Sequence, residues 1–207
     1  MSESEYFQSA KEYFNRTITE YGRCPKGVDW NSEAAQKIRF DQLLKIVVVK
    51  EYFGINHFGC GYGALYDYLK AGGYDFSYCG YDIAEEMVDV ARKSYSEKDD
   101  CAFYDDKGEL AISDYTVASG IFNLRFGMSD IWMESYLIST VEEMVSISRK
   151  GVAFNALTAY SDKERMREDL YYPEPCAIFD KCIRKFGRSV ALLHDYGLFD
   201  FTILIRK

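Results

Sequence analysis

The sequence predicts an α/β fold: a three-layer αβα sandwich in which helices cover both faces of a seven-stranded, mostly parallel sheet with one antiparallel C-terminal strand. Three observations predict it. Short apolar runs alternate with segments of helical period along most of the chain. A glycine-rich turn, residues 59–63, follows the first apolar run. The last two apolar runs are joined by only five residues, 194–198, which indicates a hairpin and therefore an antiparallel final strand.

Two helices are predicted before the first strand. Aromatic and apolar residues recur at helical spacing from about Glu5 to Tyr21, and Gly22 and Pro25 end this helix. Ser32 is expected to cap the second helix, which continues to about residue 46.

Alternating strands and helices then follow to the end of the chain. The predicted strands are 55–58, 78–84, 100–104, 114–120, 151–157, 189–193 and 199–206. The predicted helices between them begin at about residue 62 or span 84–95, 129–150 and 176–186. A loop as long as 158–175 is usually functional in a compact domain.

Length and charge limit the classes of function. The chain has 207 residues and a formal net charge of −8, so we expect one domain with a sizeable core. An acidic chain is a poor partner for nucleic acid, because phosphate binding needs a basic face. The acidic start of the chain, residues 1–5, is unlike a signal peptide, and no apolar run approaches a membrane span. We therefore expect a cytoplasmic protein that binds neither nucleic acid nor membrane.

The six cysteines are expected to be free thiols. They form no C-x-x-C pair and no His/Cys cluster with zinc spacing. Buried thiols suit a reducing cytosol. No acidic cluster typical of a metal site is evident either, so the sequence predicts no metal.

The glycine turn indicates a nucleotide-like ligand, because glycines let the backbone approach a ligand and the following helix N-terminus carries partial positive charge. Gly59-x-Gly61-x-x-Ala64 fits a dinucleotide fingerprint, and Gly59-x-Gly61-x-Gly63 fits the turn of class I S-adenosylmethionine (SAM) methyltransferases. About 20 residues on, the next strand ends in Asp82, whose carboxylate suits a ribose diol. An adenosine-type ligand is therefore expected.

Several further segments accompany this motif. Together with the turn itself, the segments are Gly27-Val28-Asp29-Trp30-Asn31, Arg39-Phe40, Phe58-Gly59-Cys60-Gly61-Tyr62-Gly63-Ala64-Leu65-Tyr66-Asp67-Tyr68-Leu69, Gly80-Tyr81-Asp82, Ala118-Ser119-Gly120-Ile121-Phe122-Asn123, His194-Asp195-Tyr196 and Phe201-Thr202. With them the chain resembles class I SAM-dependent methyltransferases over nearly its full length. More narrowly, it resembles small bacterial methyltransferases from surface-polysaccharide and sugar-modification gene clusters. The resemblance implies one Rossmann-like domain over residues 1–207, in which the helices at about 5–46 form a lid.

The resemblance also implies which residues hold the cofactor. Gly59, Gly61 and Gly63 would let the backbone pass under the methionine and ribose, Asp82 would hold the ribose hydroxyls, and Ile83 would pack on the adenine. Further contacts are expected from Trp30, Gln36, Arg39, His57, Cys60, Phe103, Ser119 and Gly120. Alternatives stay open: Asp82 as a helix cap, Arg39 as a solvated charge, and Trp30 as a core residue.

The acceptor is expected beyond the carboxyl ends of the parallel strands, where ligands bind in open α/β sheets. Residues predicted to bind it are Phe122, Asn123, Asn155, Tyr160, Tyr172 and Asp195. Such side chains suit a polar, hydroxyl-rich molecule, and the resemblance points to a sugar or nucleotide sugar. His194 is the predicted general base, because an unperturbed imidazole titrates in a suitable range; the alternative is a histidine that only packs or binds substrate.

Three functions remain in competition. The first is SAM-dependent methyl transfer to an oxygen or nitrogen of a small polar acceptor. The second is an NAD-type oxidoreductase, which the helical start and the closing hairpin disfavour. The third is a SAM-fold protein that has lost catalysis and only binds. The sequence leaves the acceptor and the oligomeric state open.

His57 marks a departure from the family pattern, in which an acid usually stands two residues before the first glycine. A protonated imidazole would repel the cofactor's ammonium group, by up to about 4 kcal/mol at ~4 Å and an effective dielectric of about 20. We therefore expect SAM affinity to be lower than usual and to fall below about pH 6.5, and His57→Asp to tighten binding. The alternative is that the imidazole turns away and Asn56 serves the ammonium.

Overall fold

Seven strands form a single sheet in the computed structural model, which describes residues 2–48 and 51–207. The strands are β1 (Phe53–Phe58), β2 (Phe76–Tyr81), β3 (Cys101–Tyr104), β4 (Ser113–Ala118), β5 (Ser148–Leu157), β6 (Val190–Leu193) and β7 (Asp200–Arg206). Their order is β3-β2-β1-β4-β5-β7-β6. β1 to β6 run in the same direction, and β7 runs antiparallel to its two neighbours, β5 and β6. The predicted mixed sheet with one antiparallel C-terminal strand is confirmed.

Helices cover both faces of this sheet. They are α1 (Glu3–Tyr21), α2 (Glu33–Leu44), α3 (Ala64–Ala71), α4 (Glu85–Ser94), α5 (Asp130–Ser146) and α6 (Pro175–Phe186). Apolar residues of α2, α3 and α4 share one core with the sheet, and those of α5 and α6 share a second core with its other face. Within the described residues, none of the helices combines the length and the apolar character needed to cross a bilayer.

The reversal of strand order next to β1 positions the ligand region. β1 pairs in parallel with β2 on one side and with β4 on the other, so that Phe58 lies opposite both Tyr81 and Ala118. The chain leaves β1 toward β2 but later returns to β4 on the opposite side. The connections that leave the carboxyl ends of β1 and β4 therefore run in opposite directions and leave a crevice between them, which is where open α/β sheets bind ligands.

Two predicted boundaries differ from the structure for local reasons. Helix α3 begins at Ala64 rather than at residue 62, because Gly63 is its N-cap and adopts a left-handed conformation with φ of 88°. Strand β5 begins at Ser148 rather than at residue 151. The Ser148 hydroxyl bonds Thr116 of the adjacent strand and the Met144 carbonyl at the end of α5, which closes the helix and starts the strand within a few residues.

Candidate active site

The turn after β1 has a backbone that requires glycine. Gly59 and Gly61 have φ of +70° and +52°, a region that L side chains rarely adopt. Side chains would also collide there. A Cβ on Gly59 would lie 2.1 Å from Ile121 Cγ2, and one on Gly61 would lie 2.7 Å from Val28 Cγ1. The turn therefore has no room for side chains at Gly59 and Gly61, and neighbouring groups approach its bare backbone closely.

Gly59→Ala is expected to lower the free energy of unfolding by about 2–3 kcal/mol. A left-handed alanine costs about 1–2 kcal/mol, and displacing Ile121 adds a packing cost. Urea denaturation would measure the change. The matched control is Gly73→Ala, since Gly73 has φ of +69° but nothing within 4 Å of the added Cβ. Equal effects of the two substitutions would contradict a steric role for Gly59.

Asp82 follows β2 directly and connects it to the glycine turn. Its carboxylate accepts hydrogen bonds from the backbone N–H of Gly61 at 2.7 Å and of Ala84 at 3.0 Å. Burial raises the pKa of this carboxyl, and the two backbone bonds oppose that shift. A carboxylate has about four acceptor positions, so Asp82 can support the turn and still bind ligand hydroxyls.

A cavity of about 270 Å³ lies against the glycine turn and Asp82. Helix α1 and the segment before α2 also line it. Of the residues predicted from sequence, the structure brings together in this lining Trp30, Gln36, Arg39, His57, Gly59, Cys60, Gly61, Asp82, Ile83, Ser119, Gly120 and Asn123. Gly63 does not line the cavity. A Cβ added to Gly63 would lie 2.6 Å from the Tyr95 ring. The cavity thus occupies the crevice expected from the strand order.

Tyr6 fixes helix α1 over this region. The Tyr6 hydroxyl donates to the Leu124 carbonyl at 3.1 Å, and its ring packs against Trp132 and Tyr136 at centroid distances of 4.6 and 5.5 Å. Near the other end of the helix, the buried Thr17 hydroxyl bonds the Gly27 carbonyl. Both ends of α1 are therefore attached to loops around the cavity.

Arg39 is buried in an ion pair rather than solvated. Its guanidinium bonds the carboxylate of Asp200, which lies at the start of β7, and stacks at 4.0 Å on the Trp30 ring. Trp30 in turn covers Gly120, where a Cβ would lie 2.5 Å from the indole. Burial raises the pKa of the Asp200 carboxyl, and Arg39 opposes that shift. This cluster forms part of the cavity wall, and Arg39 Nε finds no partner within the part of the chain that the structure describes.

Asn155, predicted as a substrate ligand, lies outside the cavity lining and bonds the turn after β4 instead. Its side chain is fully buried. The amide oxygen accepts from the Gly120 N–H at 2.9 Å, and the amide nitrogen donates to the Ser119 hydroxyl at 3.2 Å. Asn155 therefore positions the turn after β4.

Two predicted aromatic contacts belong to the protein core instead. Phe122 is fully buried among α5 and sheet residues and does not line the cavity. Phe103 stacks on Tyr95 at 5.3 Å and also lies outside the lining. Both rings pack in the protein core, so the structure gives no support to the contacts predicted for them with acceptor and adenine, and those contacts stay predictions.

The residues predicted around the closing hairpin also lie outside the cavity lining. They are His194, Asp195, Tyr160 and Tyr172. β6 is an edge strand, and β5 and β7 lie between it and β4. At the normal spacing between strands, the distance from β6 to β4 is about 14 Å. His194 is exposed and contacts Tyr160, and the Tyr172 hydroxyl accepts from the Arg167 N–H. His194 therefore lies away from this cavity, and its role as the general base stays an unsupported prediction.

His57 lies at the cavity, but its protonation differs from the prediction. Its side chain is 3% exposed, and Nδ1 lies 2.9 Å from the Tyr78 hydroxyl. Burial lowers the pKa of His57 to about 3. A neutral imidazole would not repel the cofactor's ammonium group, so the lowered pKa argues against the predicted loss of cofactor affinity below about pH 6.5. Its Nε2 has no partner among the described residues.

Sequence reasoning missed a second group of lining residues. Asp29, Phe126, Arg167 and Leu170 line the cavity. Asp29 and Phe126 are the non-glycine residues with positive φ, 59° and 45°, among those described. One signal was available: the loop 158–175 was expected to be functional, and it supplies Arg167 and Leu170. No sequence signal indicated Phe126.

Asp29 is an exposed carboxylate of the cavity lining. Partial burial raises the pKa of its carboxyl, and the Tyr13 hydroxyl and Arg167 oppose that shift. Arg167 itself is paired with Asp169 through Nε at 2.9 Å, and the carboxylate of Glu143 is bound by Lys107. Asp29 takes part in no ion pair among the described residues. Like Asp82, Asp29 is therefore a carboxylate of the cavity lining without a fixed cation in the described part of the chain.

Comparison with known proteins identifies one curated relative at high similarity. A Mycobacterium tuberculosis protein named "Putative methyltransferase Rv1506c" is 46% identical over 164 residues, which cover 79% of this chain and 99% of the relative. No family model matches the chain.

Solved structures resemble the fold. Magnesium protoporphyrin IX methyltransferase (ChlM) from Synechocystis PCC 6803 with bound SAM aligns with a TM-score of 0.65 and 14% identity over 97% of this chain and 96% of that one. Phosphoethanolamine N-methyltransferase 1 of Haemonchus contortus, in complex with phosphoethanolamine and S-adenosylhomocysteine, aligns with a TM-score of 0.65 and 9% identity over 100% of this chain and 50% of that one. At these identities the likeness concerns the fold.

Proposed function

We propose that this chain, which belongs to the methyltransferase family of its mycobacterial relative, transfers a methyl group from SAM to an oxygen or nitrogen of a small polar acceptor. The observation that carries the proposal is the left-handed glycine turn joined to Asp82 at the cavity. The class I SAM-dependent methyltransferase fold supports the same cofactor.

The cavity contains the polar groups that such a cofactor requires. Two lining residues, His57 and Arg39, carry buried nitrogen atoms without partners among the described residues, and buried polar atoms usually find a partner. Asp82 would accept the ribose hydroxyls, and Ile83 would pack on the adenine. When bound, SAM supplies an already activated methyl group. The protein then mainly orients the reactants and excludes water.

The acceptor side suits a sugar or nucleotide sugar. Phe126 offers an aromatic ring, and Asn123, Asp29 and Arg167 offer polar groups around the same cavity. The Asn123 Oδ1 atom is buried and has no partner among the described residues, so a ligand hydroxyl could donate to it. An aromatic ring combined with amide, carboxylate and guanidinium groups suits a ring that carries many hydroxyls.

Asp29 is the group we assign to the acceptor's proton. It lines the cavity next to the Arg167 loop and has no ion-pair partner among the described residues. A carboxylate accepts a proton from a hydroxyl or ammonium only while it is ionised. Because partial burial raises the pKa of its carboxyl, turnover should decline toward acid at a higher pH than an aspartate with the ordinary pKa would give.

Asp29→Asn is expected to lower the rate of methyl transfer at least tenfold while leaving SAM affinity within a factor of two. The amide keeps the size of the side chain but cannot accept the proton. Single-turnover rates and calorimetric SAM titration would separate the two effects. Asp195→Asn is the matched control, because Asp195 is an exposed carboxylate outside the cavity. A rate unchanged in Asp29→Asn would contradict the assignment.

A screen of acceptors tests the function as a whole. The protein is incubated with SAM and a panel of nucleotide sugars and free glycans, and each product is examined by mass spectrometry for the gain of one methyl group. Calorimetry with SAM and with NAD is run in parallel. Binding of NAD without binding of SAM would contradict the proposal, and methylation of another acceptor class would correct the sugar assignment alone.

A further inference from the structure

His57 and Tyr78 form a buried pair beside the cavity. The Tyr78 side chain is 1% exposed, and its hydroxyl lies 2.9 Å from His57 Nδ1. No other partner of this hydroxyl is present among the described residues. His57 Nε2 is buried and unpartnered, and His57 belongs to the cavity lining. The pair thus makes one hydrogen bond, and the second imidazole nitrogen, Nε2, is available to a ligand.

Counting donors and acceptors decides the tautomer of the neutral imidazole. If Tyr78 donates to Nδ1, the proton of the ring is on Nε2, and only that N–H lacks a partner. If Nδ1–H donates to Tyr78, the phenolic O–H and the Nε2 lone pair both lack partners. Each unsatisfied buried polar group is unfavourable by about 1–3 kcal/mol. The first arrangement leaves one such group instead of two and is therefore preferred.

We infer that His57 binds the methionine carboxylate of SAM through an Nε2–H donor, with Tyr78 as the positioning residue that fixes this tautomer. The inference rests on the proposed function and assigns one part of the cofactor to one atom of the chain. An N–H donor complements a carboxylate oxygen and has no lone pair for an ammonium group. The acid that usually stands at this position favours the cofactor's ammonium group, whereas His57 favours its carboxylate. His57→Asp should therefore weaken SAM binding rather than tighten it.

Nitrogen-15 NMR tests the tautomer directly. The chain contains two histidines, and His194→Gln leaves the signal of His57 alone. We expect Nε2 to be protonated and Nδ1 to be the acceptor, in the free protein and in its complex with S-adenosylhomocysteine. Protonation at Nδ1 in the wild-type side chain would overturn the inference. This measurement needs no acceptor, no turnover and no substitution at His57.

Calorimetry tests the ligand group. The probes are SAM and decarboxylated SAM, which lacks the carboxylate. His57→Phe is expected to lower the preference for SAM over decarboxylated SAM at least tenfold, about 1.4 kcal/mol. An unchanged preference in folded His57→Phe would overturn the inference. Arg39 can retain part of the preference, so the change between the two proteins is the measured quantity.

Tyr78→Phe removes the hydroxyl that fixes the tautomer. We expect Nδ1–H signal to appear in NMR and the preference for SAM to fall by a factor of two to ten. Tyr115→Phe is the matched control. Tyr115 is equally buried, and its hydroxyl has no partner among the described residues, so its loss should change neither quantity. A wild-type protein that binds no SAM would contradict the proposed function, while the tautomer would still be measured on the protein alone.

Discussion

Arg39→Met is expected to lower the free energy of unfolding by about 3–5 kcal/mol, because removing one member of a buried ion pair leaves an uncompensated charge. The side chains of Arg39 and Asp200 are 9% and 0% exposed. Methionine retains much of the apolar length of the side chain but supplies no donor to Asp200 and no cation over Trp30. Urea denaturation at neutral pH would measure the loss.

The double variant Arg39→Met, Asp200→Leu separates charge from packing. Replacing both members of a buried pair by apolar residues is often neutral, so the double variant should recover most of the stability lost in the single variant. The pH dependence gives a second check. Burial raises the pKa of Asp200, which means that the buried site accommodates the protonated carboxyl better than the ionised one. The loss of unfolding free energy in Arg39→Met should therefore become smaller as the pH falls and Asp200 takes up a proton. A double variant as unstable as the sum of both single variants would contradict this account.

The fold could be predicted because its signals are local. The glycine turn, the acid that ends β2 and the short link before β7 are each contained within a few residues, and each has a specific structural cause. Even the boundary errors were local. Gly63 delays the start of α3 by its left-handed conformation, and Ser148 starts β5 early by bonding to α5 and β4.

The site could be predicted only where it belongs to those local signals. Asp29, Phe126 and Arg167 come from distant parts of the chain, and tertiary packing alone brings them to one cavity. His194 was placed at the site because it follows a strand that runs parallel to the others. The strand order makes that strand an edge strand, which the spacing of apolar runs does not reveal.

The protonation state of a buried residue also could not be predicted from the sequence. His57 was expected to titrate like an exposed imidazole, but burial lowers its pKa to about 3. Its partner Tyr78 lies on the neighbouring strand, and the pair depends on the register between β1 and β2. Protonation states follow from such contacts, so they had to be determined from the structure.

Asp82→Ala is expected to weaken SAM binding about a hundredfold, or ~2.8 kcal/mol. Two losses combine. The ribose hydroxyls lose a charged acceptor, and each such bond contributes ~1.5–3 kcal/mol. The Gly61 N–H loses its acceptor as well, so the glycine turn is less well fixed. Calorimetric titration of the folded variant with SAM would measure the effect, and circular dichroism would establish that it is folded.

Two further variants separate these losses. Asp82→Asn keeps an oxygen that can accept from Gly61 but removes the charge, so its SAM affinity should lie between those of the wild type and Asp82→Ala. Asp106→Ala is the matched control, because Asp106 also accepts a backbone N–H, from Gly108 at 2.8 Å, but lies outside the cavity. It should bind SAM like the wild type. Wild-type affinity in folded Asp82→Ala would mean that the acid at the end of β2 does not contact the cofactor.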